Sequence, residues 1–188
     1  MSEISFENTA IAFAYKDERA LRRAWWLFSM LAVPLLVRIG KHLIQFAFRL
    51  GLPINWAVKP TVYKHFVGGE SLSDCQPVVR ALEKYNVRAI LDYSVEGTEK
   101  EEDFEDALAE TLQSIRHAAS DPSIPFAVFK PTAFTTATLL EKASSGVRLS
   151  EDEAAQAERF RSRIDTLCST GHKLGVPVLI DAEDSWYQ

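Results

Sequence analysis

The residues of this chain that could do chemistry gather where short apolar runs end. Val87–Tyr93 leads into Ser94, Val95, Glu96 and Gly97. Phe126–Phe129 leads into Lys130, Pro131 and Thr132. Val176–Ile180 leads into Asp181, Ala182 and Glu183. If the three runs are parallel strands, Glu96, Lys130 and Asp181 face one rim, which is where β/α barrels carry their reacting groups. A carboxylate holds a neighbouring lysine in its charged form, and such a pair can position an anionic substrate. The same spacing also suits a plain salt bridge on the rim. Glu183 and Asp184 are placed to cap a following helix, and Glu70, after Gly68 and Gly69, to serve a turn.

Other chemistries find less support. His42, His65, His117 and His172 are scattered, with no metal-ligand spacing. Cys75 and Cys168 lie far apart and form no CxxC pair, which argues against a disulfide framework and for a reducing compartment. Neither a GxGxxG nor a Walker loop is present.

Regular elements must hold these strand ends. Ser71 is placed to cap a helix carrying Val78, Val79, Leu82 and Tyr85. Thr98 with Glu101 spells a capping box, followed by Phe104, Leu108, Leu112 and Ile115 at helical spacing. Ser150 with Glu153 spells a second box, and its helix carries Ala157, Phe160, Ile164, Leu167 and Cys168. His172 and Lys173 suit the negative end of that helix, and Gly175 supplies the stop. Phe126–Phe129 reads as a strand covered on both faces.

Helices alternating with strands predict parallel β/α units. The predicted fold class is α/β: the first three β/α units of a (β/α)8 barrel, preceded by a helical N-terminal region. The boundary is placed between residues 68 and 69. At 188 residues the chain is shorter than the roughly 250 of a closed barrel. Three strands leave a hydrophobic edge unpaired, so residues 69–188 are expected to be the start of a larger barrel, either truncated at 188 or completed by another segment.

The N-terminal region differs in charge. Residues 1–67 hold nine Lys/Arg against four Asp/Glu, a balance of +5, while the remainder is at −10. No acid lies between Arg19 and Gly69. The longest uncharged run, Ala24–Val37, is fourteen residues with Pro34 inside it, short of the about 20 that span a bilayer. Two helices, 18–33 and 35–50, are predicted, bent at the proline. Either they pack on a core, or their aromatic residues beside Arg and Lys make a peripheral contact with anionic lipid. No RNA- or DNA-binding motif is present.

Four blocks in order, Thr61–Glu70 (TVYKHFVGGE), Leu91–Gly97 (LDYSVEG), Phe129–Thr132 (FKPT) and Val178–Glu183 (VLIDAE), resemble the proline dehydrogenase family over roughly residues 55–188. The resemblance implies a flavoprotein with a distorted (β/α)8 barrel. Such a protein oxidises L-proline to 1-pyrroline-5-carboxylate with FAD and passes electrons to membrane quinone. By the same resemblance, Lys130 matches the lysine that contacts the proline carboxylate, and Asp181 the neighbouring active-site aspartate. Ala182 matches a position whose backbone touches the flavin. Glu96 matches an acid that pairs with a substrate-binding arginine when the site is empty. The family's later strands, most of its flavin contacts and its paired arginines are expected outside these residues; Arg22 and Arg23 do not correspond to that pair. A cytoplasmic protein, peripheral on the inner face of the cytoplasmic membrane, is the matching location. Two other readings are a lysine Schiff-base aldolase barrel using Lys130 and a non-catalytic, membrane-associated fragment.

Overall fold

The structure, a computed structural model, describes residues 7–93, 99–182 and 184–187. The chain forms two units, Met1–Asn86 and Val87–Gln188.

The first unit is helical throughout its described residues. It opens with α1 (Thr9–Ala12), α2 (Glu18–Leu31) and α3 (Pro34–Arg49). Asp17 caps α2 by accepting a hydrogen bond from the Ala20 amide. Pro34 starts α3 at its first turn, where a missing N–H costs nothing. The two helices cross a short break at 93°, so the predicted bend is present. A helical stretch follows: α4 (Asn55–Val58), a π-helical turn (Lys59–Tyr63) and α5 (Lys64–Phe66). Phe28 of α2 meets His65 and Phe66 edge-on, with ring centroids 5.1 and 6.1 Å away. Last comes α6 (Leu72–Glu83), capped by the Ser71 hydroxyl as expected. Of its predicted apolar stripe only Val79 is buried; Val78 and Tyr85 are exposed, and Tyr85 lies past the helix end. Glu70 pairs with Lys59 at 2.6 Å rather than serving the turn alone. That bond raises the Lys59 pKa above its ordinary value.

The second unit is a small α/β layer. β1 (Ala127–Phe129) and β2 (Val178–Ile180) run parallel, with Ala127 opposite Val178 and Phe129 opposite Ile180. Leu91 adds one isolated parallel bridge to Ala127. The predicted first strand is thus reduced to a single ladder contact, and β1 lies between its two neighbours. α7 (Glu101–Ser120) packs on β1 and on α9 (Glu151–Leu174), and α9 packs on β2. The described strands form an open parallel sheet. A short helix absent from the sequence expectation, α8 (Ala137–Ser144), follows β1, capped by the Thr136 hydroxyl on the Leu139 amide.

The core of this unit comes from one face of each helix and of β1. Phe104, Ala107 and Ile115 of α7, Leu167 of α9, and Ala127 and Phe129 of β1 are buried. Phe129 meets the fully buried Phe134 edge-on at 5.5 Å. The strand is not covered on both faces as predicted. Ala127 and Phe129 are buried, whereas Val128 between them is only half-buried. The Ser150–Glu153 capping box is present in full, and Gly175 ends α9 in the left-handed conformation. Cys168, predicted on the apolar stripe of α9, is exposed. Gly171 is required where α9 crosses β2. A Cβ there would lie 2.5 Å from the Val178 side chain and 2.8 Å from the Val176 carbonyl.

Candidate functional site at the strand ends

Strand register decides which side chains share the rim. Side chains alternate across a strand, so Val128 and Lys130 project to the face opposite Ala127 and Phe129. The Asp181 amide donates to the Phe129 carbonyl at 2.9 Å, continuing the ladder one step past β2. Lys130 and Asp181 therefore come level at the carboxyl ends of β1 and β2, above Val128 and Leu179. This is the face away from α7.

The Lys130 ammonium stands 3.9 Å from the Asp181 carboxylate. That is too long for a hydrogen bond and within range of strong Coulomb attraction. The Lys130 side chain is 17% exposed and that of Asp181 49%. The cation is thus mostly withdrawn from water while its acid stays hydrated. Beneath them on the same face lies apolar surface: Val128 is half-buried and Leu179 exposed, whereas Ile180, opposite Phe129, belongs to the other face. Ala182 follows in an exposed, irregular segment. Two of the predicted rim residues are therefore brought together. The third, Glu96, lies outside the described residues, as do Thr98 and Glu183.

The segment leaving β1 is held from behind. Lys130 is extended, and a 3₁₀ turn (Pro131–Ala133) follows it. Thr132, Ala133, Phe134 and Thr135 are all buried. Arg163 of α9, only 4% exposed, donates from Nη1 to the Phe134 carbonyl at 2.9 Å. Its Nε donates to Glu105 at 2.8 Å, and Nη2 bonds to Glu101. Arg159 adds a bond to the same Glu101 oxygen at 2.7 Å. Partial burial pushes the Glu101 carboxyl up, but the bonds from Arg163 and Arg159 outweigh it, and its pKa falls below the ordinary value.

This cluster was not anticipated from sequence, where Glu101 is read as a capping acid. In the structure Lys100 is the N-cap, with no side-chain cap bond, and the Glu101 side chain turns to the arginines. A signal was available: Arg163 sits between Phe160 and Ile164 on the inward stripe of α9, opposite the acidic start of α7.

Among the described residues no group of His, Cys, Asp and Glu could hold a metal ion. The chemistry at the rim is that of a shielded cation beside a hydrated acid, over an apolar floor.

Comparison with known proteins identifies relatives of the chain. A family model described as Proline dehydrogenase matches residues 75–188. Proline dehydrogenase 1, mitochondrial, of Dictyostelium discoideum is 27% identical over 179 residues, covering 74% of this chain and 31% of the relative. The corresponding protein of Caenorhabditis elegans is 32% identical over 126 residues, covering 65% of this chain and 20% of the relative. The carbapenem antibiotics biosynthesis protein CarD of Pectobacterium carotovorum is 31% identical over 123 residues, covering 65% and 33%. The chain thus spans a third or less of the length of these curated relatives. A family match over residues 75–188 is more than half of the chain, and the chain belongs to the proline dehydrogenase family.

Proposed function

We propose that this chain supplies the substrate-carboxylate side of a flavin-dependent site that oxidises L-proline to 1-pyrroline-5-carboxylate, with electrons passed on to membrane quinone. The observation that carries the proposal is the meeting of Lys130 and Asp181 at the ends of adjacent parallel strands, 3.9 Å apart, with the lysine largely shielded. A shielded ammonium binds a carboxylate more strongly than a hydrated one, because less water competes. Asp181 sets an opposite charge beside Lys130 and biases the direction of its head group.

The donor set fits FAD. Val128 and Leu179 offer an apolar face to a planar ring, and the strand-end backbone at Asp181 and Ala182 offers polar groups to its edge. When bound, FAD supplies the acceptor for a hydride from the ring carbon next to the proline nitrogen. The proton on that nitrogen also leaves, so a C=N bond remains. The chain's own part is positional: Lys130 holds the carboxylate, Asp181 holds Lys130, and Glu96 is assigned to an arginine partner of the empty site. The same reading places the protein in the cytoplasm, peripheral on the inner face of its membrane.

A Schiff-base aldolase needs the opposite electrostatics. Its lysine must lose a proton to attack a carbonyl, and a carboxylate 3.9 Å away disfavours that loss.

The test is Lys130→Met in a flavin-loaded protein in which this chain is joined to the remaining barrel segments of the family, assayed by proline-dependent dye reduction. One charged hydrogen bond is worth roughly 1.5–3 kcal/mol, so kcat/KM should fall about 10- to 150-fold. Unchanged kinetics at equal flavin content would reduce the pair to a rim salt bridge. Borohydride trapping of Lys130 on a carbonyl substrate would favour the aldolase.

A further inference from the structure

The first unit buries little of what it carries. Leu27, Ala47 and Val79 are its buried apolar side chains among the described residues. By contrast Trp25 is 73% exposed, Phe48 68%, and Leu35 and Leu43 62% each. The unit also holds two adjoining hollows.

The first is a cavity of about 270 Å³, whose lining includes Lys16, Arg23, Lys64 and His65. It contains three cations and no acid. Among the described residues, no carboxylate lies within salt-bridge distance of Lys16, Arg23 or Lys64. The second is an apolar groove of about 510 Å³ between α2 and α3, with Met30, Leu36, Val37 and Ile44 in its walls. Trp26, Leu27 and Thr61 line both, so the two hollows meet.

We propose that this pair of hollows binds one anionic phospholipid of a bilayer, with the phosphate-bearing headgroup among Lys16, Arg23 and Lys64 and an acyl chain in the groove. Charge and apolarity are arranged in the order of such a molecule, head to tail. A soluble anion would use only the cationic hollow, and an uncharged apolar partner only the groove. The bilayer explains the surroundings as well. Tryptophan beside Arg and Lys is the composition of a protein surface at the lipid–water boundary.

Neither helix alone reaches across a bilayer. α2 and α3 are about 21 and 24 Å long at 1.5 Å per residue, against roughly 30 Å of hydrocarbon. Among the described residues no single helix is long and apolar enough to cross a membrane.

The proposal rests on the membrane part of the function proposed above, but the two fail separately in one experiment. The protein is sedimented with phosphatidylcholine vesicles, with and without phosphatidylglycerol, at low and high salt. A second measurement uses a variant keeping only Trp26 (W25F/W56F/W186F) and vesicles with brominated acyl chains. Binding is expected only with the anionic lipid and should weaken with salt. Each basic residue near the surface contributes about fivefold in affinity. R23Q/K64Q should therefore lose about 30-fold, and R38Q/R49Q, with the same charge removed outside the cavity, clearly less. Brominated chains should quench Trp26. If R23Q/K64Q proves unstable in a thermal melt, the quenching decides alone. Equal losses in the two double variants with no quenching would overturn the lipid site and leave diffuse attachment standing. No vesicle binding would overturn both. Competition by inorganic phosphate without vesicle binding would make the cavity a soluble-anion site, and self-association without vesicle binding would make the groove a protein interface.

Discussion

Arg163 carries a permanent charge into the second unit, and it is the side chain on which most polar contacts there converge. Three of its nitrogens are satisfied, by Glu101, Glu105 and the Phe134 carbonyl. Arg163→Met keeps most of the stem but leaves that buried carbonyl without its donor. Both carboxylates reach water, so they can be rehydrated. The loss should be about 1–3 kcal/mol, the cost of one unsatisfied buried group, read from urea unfolding. The partner acid gives a pH signature. The folded-state pKa of Glu101 lies below its ordinary value of 4.5. Its contribution is therefore fully present above that value and is lost as pH falls through the depressed folded pKa. Unfolding midpoints taken between about pH 6 and pH 3 should decline, and decline less steeply in Glu101→Gln. An equal slope in both proteins would remove Glu101 from this role. At this scale the sequence was readable only in part. Lys130 and Asp181 stand out because they end apolar runs. Arg163 does not, because a charged residue on an apolar stripe looks like solvated surface until its acids, 58 and 62 positions away, are brought beside it.

Helices were easier to read than strands because their signals are local. Ser71, Ser150 and Gly175 act within a few residues of themselves, and Pro34 marks its own bend. Strand length depends on neighbours, and Val87–Tyr93 meets β1 only at Leu91. The stripe on α7 shows the same limit. Leu108 and Leu112 are half-buried, whereas the smaller Ala107 and Thr111 are buried, α7 packing on both α9 and β1. Close approach of helix and strand is sharpest at Gly171. Gly171→Ala puts a methyl into the Val176 carbonyl, and that backbone cannot step aside as a flexible side chain could. Helix propensity favours alanine by about 1 kcal/mol. Overpacking costs typically 1–3 kcal/mol, so a net loss is expected in chemical denaturation. Wild-type stability in Gly171→Ala would mean that α9 and β2 stand further apart.

Across the molecule, apolar surface is unevenly spent. The second unit fills the space between α7, α9 and β1, but its open sheet leaves Leu179 and Ile180 exposed, with Asp181 and Ala182 beyond them. A cofactor laid on the face of Leu179 and Asp181 would be covered from one side only. The 188-residue chain purified alone is expected to carry far less than one flavin per chain by its visible absorbance. A stoichiometric flavin spectrum would show that one side is enough. The open edge of the sheet was legible in the count of strands, but the hollows of the first unit were not, since they depend on surfaces left uncovered rather than on residues present. The acid-free stretch did indicate where positive charge would collect.

The buried segment after β1 has a kinetic consequence. By shape Pro131–Thr135 is a connection, and connections usually trade their amide protons with solvent quickly. Here the Ala133 and Phe134 amides donate to the Lys130 and Pro131 carbonyls at 3.1 Å, beneath side chains that water does not reach. Arg163 ties Phe134 to α9. Those two protons should therefore exchange with deuterium only when α7 and α9 part, at the pace of the helices' most protected amides. Rapid labelling of Ala133 and Phe134, with the helices still protected, would mean that Lys130 swings on a loose tether. Slow labelling would mean that the lysine is aimed by the core, so a mutation deep between the helices would be felt at the rim as a change in KM.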